Sequence, residues 1–379
     1  MSKATGKTAP RRRAIINATP EAEMPAAGHT GRHGARVTMR DIAAAVGVHQ
    51  TTVSFALRNH PSIPEATRAR IVRMADRLGY RPDPLLAAFN FHRLSRHPVR
   101  SPPTIAFVVD LRARAGFQKA EYFQFVHQGA REAAARCGYL LEVFFIGPRQ
   151  LTPGRLNHIL ISRNIHGVLV AFSPATAHLP LDWTRYCGMK IESLHLTPHL
   201  DAISNDQRQV TRLAVSRLRE LGYRRIGLAT AREDEQLLRD PFRSGFFVES
   251  AALPERERVP PLLFAYNDTA EFAAALPEWV RRHRVDAVIS NWNNCHEFLA
   301  AAELRVPQDV SVASLDAPSL YPHLAGVVQN HHLVGERAVE QLAILMQTHQ
   351  RDVPATQSIT YVPGYWRDGT SAPRKTAAW

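Results

Sequence analysis

Cysteine is scarce in this chain, and so are acidic side chains relative to basic ones. Only Cys137, Cys187 and Cys295 stand among 379 residues. They are odd in number, far apart and without C-x-x-C spacing. That argues against a disulfide scaffold or a structural zinc site and fits a reducing compartment. No apolar run reaches the roughly 18–20 residues that a membrane-spanning helix needs. The stretch from Met1 to Pro25 lacks the apolar block of a secretory leader, so a cytoplasmic protein is expected. The acid deficit is local. The chain holds 47 Lys and Arg against 34 Asp and Glu, a net charge of +13. Its first 100 residues hold 17 of the former and 6 of the latter. Nearly all of the excess therefore sits at one end, and a basic end on a near-neutral body points to a polyanion partner.

Signatures of catalysis are missing as well. There is no G-x-S-x-G, H-E-x-x-H, G-x-x-x-x-G-K-[ST] or strand-following G-x-G-x-x-G. Cys295 and His296 are neighbours in sequence, which does not make a dyad. His195 with His199, and His331 with His332, lack a third metal ligand at sensible spacing. The reading is a protein that is not an enzyme and holds no metal or cofactor.

What is present divides the chain. Residues 1–36 are rich in Ala, Thr, Gly, Pro and Arg without periodicity and read as a disordered basic extension. Apolar spacing then predicts three short helices over 37–83, marked by Met39, Ile42, Ala43 and Val46, by Val53, Ala56 and Leu57, and by Ile71, Met74, Ala75 and Leu78. A short apolar helix and a Pro- and Arg-containing linker fill 84–103. Over 104–371 strand-like and helix-like runs alternate. Strands are expected at 104–110, 139–146, 167–172, 190–194, 202–205, 225–230, 261–266, 287–291 and 310–316. Helices are expected at 122–137, 207–221, 270–284 and 331–347. This alternation predicts parallel sheets covered on both faces, in two α/β lobes. Residues 372–379 read as a flexible tail.

The window MRDIAAAVGVHQTTVSFALR, from Met39 to Arg58, carries the most information. Two helices that cross closely need a small residue at the crossing and a turn residue that tolerates positive φ. Ala43 and Gly47 supply these. Thr38 and Asp41 have the spacing of a capping box. The second helix would expose Gln50, Thr51, Ser54 and Phe55, side chains that can reach base edges.

The segment from Val37 to Pro82 resembles the DNA-binding headpiece of the lactose-repressor (LacI) family. The resemblance rests on Gly47-Val48, Thr52-Val53-Ser54, Pro64 with Thr67-Arg68, and Leu78-Gly79-Tyr80-Arg81-Pro82. It continues more loosely through Leu221-Gly222-Tyr223 and Asp309-Val310-Ser311-Val312 to about residue 370. It implies an all-α helix-turn-helix headpiece on a two-lobed, periplasmic-binding-protein-like α/β sensor. The implied function is a transcriptional regulator, expected to repress, that binds double-stranded operator DNA as a homodimer under control of a sugar or sugar-derived effector. Gln50 and Thr51 match specificity positions. Thr38, Thr52, Ser54 and Thr67 match positions that bond phosphates or orient the helix, and Tyr80 one near the DNA backbone. Met39 and Arg58 complete the DNA-facing set.

Two departures stand out: His49 where the family usually has Ser, and Phe55 where it has a guanine-reading Arg. Phe89 occupies the place of the family's minor-groove wedge. In the sensor, Asn291, Asp316 and Gln329 match effector positions, and Asp110 ends the first strand. Trp292 stands where Asp is common. Phe242 replaces an effector-binding Arg, with Arg239 and Arg243 nearby. The helix at 122–137 is a candidate dimer interface. An α/β enzyme or a solute-binding protein carrying an accessory headpiece is the competing reading.

Overall fold

Capping chemistry sets the boundaries of the N-terminal helices. In helix α1, Met39–Val46, the Thr38 side chain accepts from the Asp41 N–H while the Asp41 carboxylate accepts from the Thr38 N–H. Gly47 ends it at φ 72°, a left-handed conformation that glycine adopts without a Cβ clash. Helices α2, Gln50–Leu57, and α3, Glu65–Arg77, complete the bundle. Ile42, Val53, Ala56, Ile63, Ile71 and Ala75 form its core. The computed structural model describes residues 37–57, 62–80, 102–110, 120–147, 151–171, 178–238, 240–266 and 268–375. The three helices make one compact unit and the described residues from Pro102 onward make a second.

The second unit holds two six-stranded sheets. The first is built from β1 (Thr104–Asp110), β2 (Leu140–Ile146), β3 (Gly167–Ala171), β4 (Cys187–Ile191) and β5 (Ala202–Asn205). The second uses β6 (Ile226–Ala231), β7 (Leu262–Phe264), β8 (Ala287–Ser290), β9 (Ser311–Ser314) and β10 (Ala325–Val328). Then β11 (Ile359–Val362) returns to the first sheet and β12 (Tyr365–Arg367) to the second. The orders are β11-β5-β4-β3-β1-β2 and β12-β10-β9-β8-β6-β7. All pairings are parallel except that of β12 with β10. Strands β1, β3, β4, β6, β8 and β9 are buried almost throughout, as expected for sheets covered on both faces.

The helices are α4 (Glu121–Arg136), α5 (Pro153–Ser162), α6 (Gln207–Glu220), α7 (Arg232–Leu238), α8 (Pro241–Ala251), α9 (Thr269–His283), α10 (Cys295–Ala301) and α11 (His331–Gln347). Among the described residues no helix is long and apolar enough to cross a membrane. Helices α4 and α11 approach closely. A Cβ on Gly129 would lie 1.9 Å from the His332 carbonyl oxygen, and one on Gly335 2.0 Å from that of Val126. Three connections pass between the sheets: β5 to α6, β10 to α11, and β11 to β12.

Three expectations need correction. The strand expected at 190–194 ends at Ile191, because Glu192 turns to φ 58°. The tail expected from 372 is anchored at first: Ala372 is buried, the Pro373 carbonyl accepts from the Tyr223 hydroxyl at 2.7 Å, and Lys375 N–H donates to the Leu221 carbonyl at 2.8 Å. The short strands β10, β11 and β12, absent from the sequence reading, complete both sheets.

Candidate nucleic-acid interface and inter-lobe cleft

In the headpiece, Gln50, Thr51 and Phe55 are exposed on α2, and Thr52 and Ser54 are half-buried. Val53 and Ala56 hold the opposite face in the core. The helix therefore presents polar groups and one aromatic ring outward, and no charge is set among them from Gln50 to Leu57. Thr38 is exposed but bound into its cap, where the backbone N–H of Thr38 also holds the Asp41 carboxyl below its usual range. Met39, a member of the expected DNA-facing set, faces inward and packs against the headpiece core. Arg68 pairs with Glu65 at 2.8 Å and donates to the Ile63 carbonyl at 2.9 Å, so it ties α3 to the preceding loop. Tyr80 also packs on the core, and Thr67 is half-buried. Arg40, Arg73 and Arg77 are exposed. Arg58, Phe89 and the hinge helix lie outside the described residues.

In the body, a cleft of about 250 Å³ opens between the lobes. Tyr122 and Phe125 of α4 form one wall; Asn293, Asp316 and Gln329 come from the carboxyl-terminal side of the second sheet. Of the expected effector residues, the fold thus brings Asp316 and Gln329 together. Gln329 is held by a reciprocal amide pair with Gln207, both contacts at 2.9 Å, and donates to the Leu315 carbonyl. Asn293 donates to the Asp316 carbonyl and accepts from Ser314.

Asp110, Asn291, Trp292 and Arg243 do not line this cavity. Asp110 is buried at the end of β1. Asn291 donates to Asp234 at 2.7 Å, and Trp292 stands edge-on to Phe264, Phe272 and Tyr266. Arg243 pairs with Asp240 and lies over the Phe247 ring. Phe242 is buried in the core of the second lobe, so the place of the family's arginine is apolar here. Arg239 lies outside the described residues.

Sequence reading missed the group that joins the lobes. His331 Nε2 lies 2.8 Å from Asp316 Oδ1, and its Nδ1 lies 3.1 Å from Asn205 Nδ2. Asn205 donates through both backbone and side chain to Glu192, which also accepts from Ser204. Burial alone would lower the His331 pKa, but the carboxylates of Asp316, Glu192 and Glu121 outweigh it and raise it above the ordinary imidazole value. Burial likewise lifts the Glu192 carboxyl. Burial, with Glu192 and Asp316 nearby, lifts the Tyr122 phenol well above its usual value. Glu121 adds a second bridge by accepting from the Ser319 N–H at 3.0–3.1 Å. The only local signal for His331 was its place two residues after Gln329.

Of the histidines set aside as metal ligands, His331 takes Asp316 and His332 takes Glu132. Cys295 is buried and its thiol is pushed up to about 12, while His296 contacts the Asn293 carbonyl.

Comparison with known proteins follows the same division. Residues 38–83 match the bacterial regulatory proteins of the lacI family, and residues 215–365 match the periplasmic binding protein-like domain. The HTH-type transcriptional regulator reg1 of Streptomyces lividans is 26% identical over 327 residues, 80% of this chain and 88% of that protein. The transcriptional repressor CytR of Escherichia coli K12 is 25% identical over 202 residues, 53% of this chain and 55% of that one. In fold, the chain resembles the CelR–cellobiose complex with a TM-score of 0.55 at 21% identity, over 89% of this chain and all of that one. It resembles the lac repressor dimer bound to operator and an anti-inducer with a TM-score of 0.53 at 16% identity, again over 89% and 100%. A capped helix-turn-helix, two parallel sheets joined by three crossings, and relatives that are transcriptional regulators agree: the chain is a sequence-specific DNA-binding regulator of the LacI family.

Proposed function

We propose that this regulator represses transcription as a homodimer, reading an operator with one α2 helix per half-site and responding to a polyhydroxyl ligand, a sugar or sugar derivative, in the inter-lobe cleft. The observation that carries the ligand reading is Asp316. Its side chain is 31% exposed at the end of β9, within a cleft walled by Tyr122 and Phe125. A carboxylate accepts hydrogens from hydroxyl groups, and aromatic faces cover the apolar side of a sugar ring. That CelR was solved with cellobiose supports the same ligand class. The protein would act in the cytoplasm, on the nucleoid. In this reading 37–83 is the DNA-binding domain, 84–103 the hinge with Phe89 as wedge, and the residues from 104 onward the sensor.

Selection from a random duplex library tests the DNA reading. The full-length protein is expected to enrich a pseudo-palindrome, and enrichment of nothing would refute the reading. Phe55 is 38% exposed on α2 and cannot make an arginine's bidentate contact with guanine. Phe55→Arg is expected to shift one position per half-site toward guanine; an unchanged consensus would sink that assignment.

We infer that the dimer contact includes Leu320 and Tyr321, which are 78% and 43% exposed at the mouth of the same cleft. Adjacent apolar side chains exposed to this degree fit a protein-protein contact. Helix α4, the candidate read from sequence, spends its small-residue face on α11. Leu320→Asp is expected to give monomers in sedimentation at micromolar concentration, and a persistent dimer would move the interface elsewhere.

A further inference from the structure

His49 stands where the recognition helix begins. Its carbonyl oxygen accepts the first helical N–H groups, from Thr52 at 2.9 Å and Val53 at 3.2 Å. It is therefore the N-cap, a position that favours short side chains bearing an oxygen acceptor. Here an imidazole nitrogen takes that role. The Thr51 backbone N–H donates to His49 Nδ1 at 3.3 Å, and Thr51 Oγ1 lies 2.8 Å from the same nitrogen. A backbone N–H can only donate, so Nδ1 holds a lone pair, and the Thr51 hydroxyl must direct its hydrogen there too. With Nδ1 accepting, the ring carries its hydrogen on Nε2. His49 is exposed, and Nε2 makes no hydrogen bond among the described residues.

Two consequences follow for recognition. Thr51 has committed its hydrogen and faces outward as an acceptor only, suited to the amino groups of cytosine or adenine. His49, by contrast, offers a donor of fixed tautomer. Resting on the DNA-binding reading above, we propose that His49 is a specificity-determining residue whose capping contact orients an Nε2–H toward an acceptor on operator DNA. Residues at the amino end of a recognition helix reach base edges, which favours a purine N7; a phosphate oxygen offers the same chemistry.

His49→Ser in the full-length protein separates capping from reading, because serine keeps a capping oxygen and removes the ring. His49→Asn is the second variant should the first fail to fold. Wild type and variant are each put through selection from a random duplex library. Their affinities are then compared on the wild-type operator, on that operator with 7-deazapurine at the altered position, and with methylphosphonate at the flanking phosphate. The variant is expected to keep its helix content by circular dichroism, to bind the wild-type operator roughly three- to tenfold more weakly, and to lose preference at one base pair per half-site. Loss of the wild-type advantage on 7-deazapurine supports the base contact; loss on methylphosphonate alone assigns the acceptor to the phosphate and overturns the specificity role. An unchanged consensus, or an advantage surviving both substitutions, overturns the proposal while leaving the DNA-binding reading intact. Failure of the wild type to enrich any sequence overturns both.

Discussion

Ile42→Ala is expected to abolish operator binding while the thermal transition of the α/β body stays where it was. Ile42 is fully buried in the headpiece core, which gathers residues from all three helices. Removing most of a buried isoleucine side chain costs about 2–5 kcal/mol, because lost burial and an unfilled cavity add. The matched headpiece spans 38–83. A domain of roughly 45 residues has only about 2–6 kcal/mol of stability in total. The substitution therefore removes most or all of it, whereas the same loss in the much larger body would be tolerated. The headpiece and body form separate compact units, so the damage should stay local. Calorimetry of the full chain with operator titration checks this. Retained specific binding, or a shifted body transition, would show that the headpiece draws its stability from elsewhere.

The headpiece was legible in the sequence because its determinants are local. Thr38 and Asp41 are three residues apart and cap each other. Gly47 needs no distant partner to adopt its φ of 72°. Ala43 lies buried in the three-helix core, where apolar spacing put it. The sensor cleft was legible in part. Asp316 and Gln329 lie at strand ends, and strand ends face the crevice of such folds. Strand-end position does not fix where a side chain turns. Asn291 and Trp292 satisfy the same rule, but Asp234 on α7 draws the Asn291 amide and three aromatic rings take the indole. Tyr122 and His331 were not legible as site residues. Their roles arise where separate crossings between lobes meet, from contacts such as Asn205 with His331 across 126 positions of sequence.

The body of the wild-type protein is expected to lose stability as the pH rises above about 6.5, the ordinary imidazole value, and His331→Gln is expected to flatten that decline. The folded pKa of His331 lies above the unfolded value because three carboxylates outweigh burial. A raised pKa means that the folded state binds the proton more tightly. The resulting stabilisation is fully present below the unfolded pKa and is lost as the pH rises through the folded one. Glu192 acts in the same direction: buried, with a raised pKa, it favours the protonated form in the folded state and loses that advantage as pH rises.

The Asn205 amide links the two groups. With Nδ2 facing both Glu192 and His331 Nδ1, its Oδ1 is buried without a partner. Glutamine at 331 can still reach polar neighbours but cannot take the charge. Removing one partner of a buried ion pair costs about 3–5 kcal/mol. Asp316 is 31% exposed to the cleft, and solvent screening reduces the expected loss to roughly 1–3 kcal/mol at pH 6. His127 and His166 have lowered pKa values, caused chiefly by burial, and push the wild-type profile the opposite way. They are common to both proteins, so the difference between the two melting-temperature profiles isolates position 331. Parallel profiles from pH 5 to 9 would remove the charged bridge from the account of how the lobes are held, while contacts such as Glu121 on Ser319 would remain.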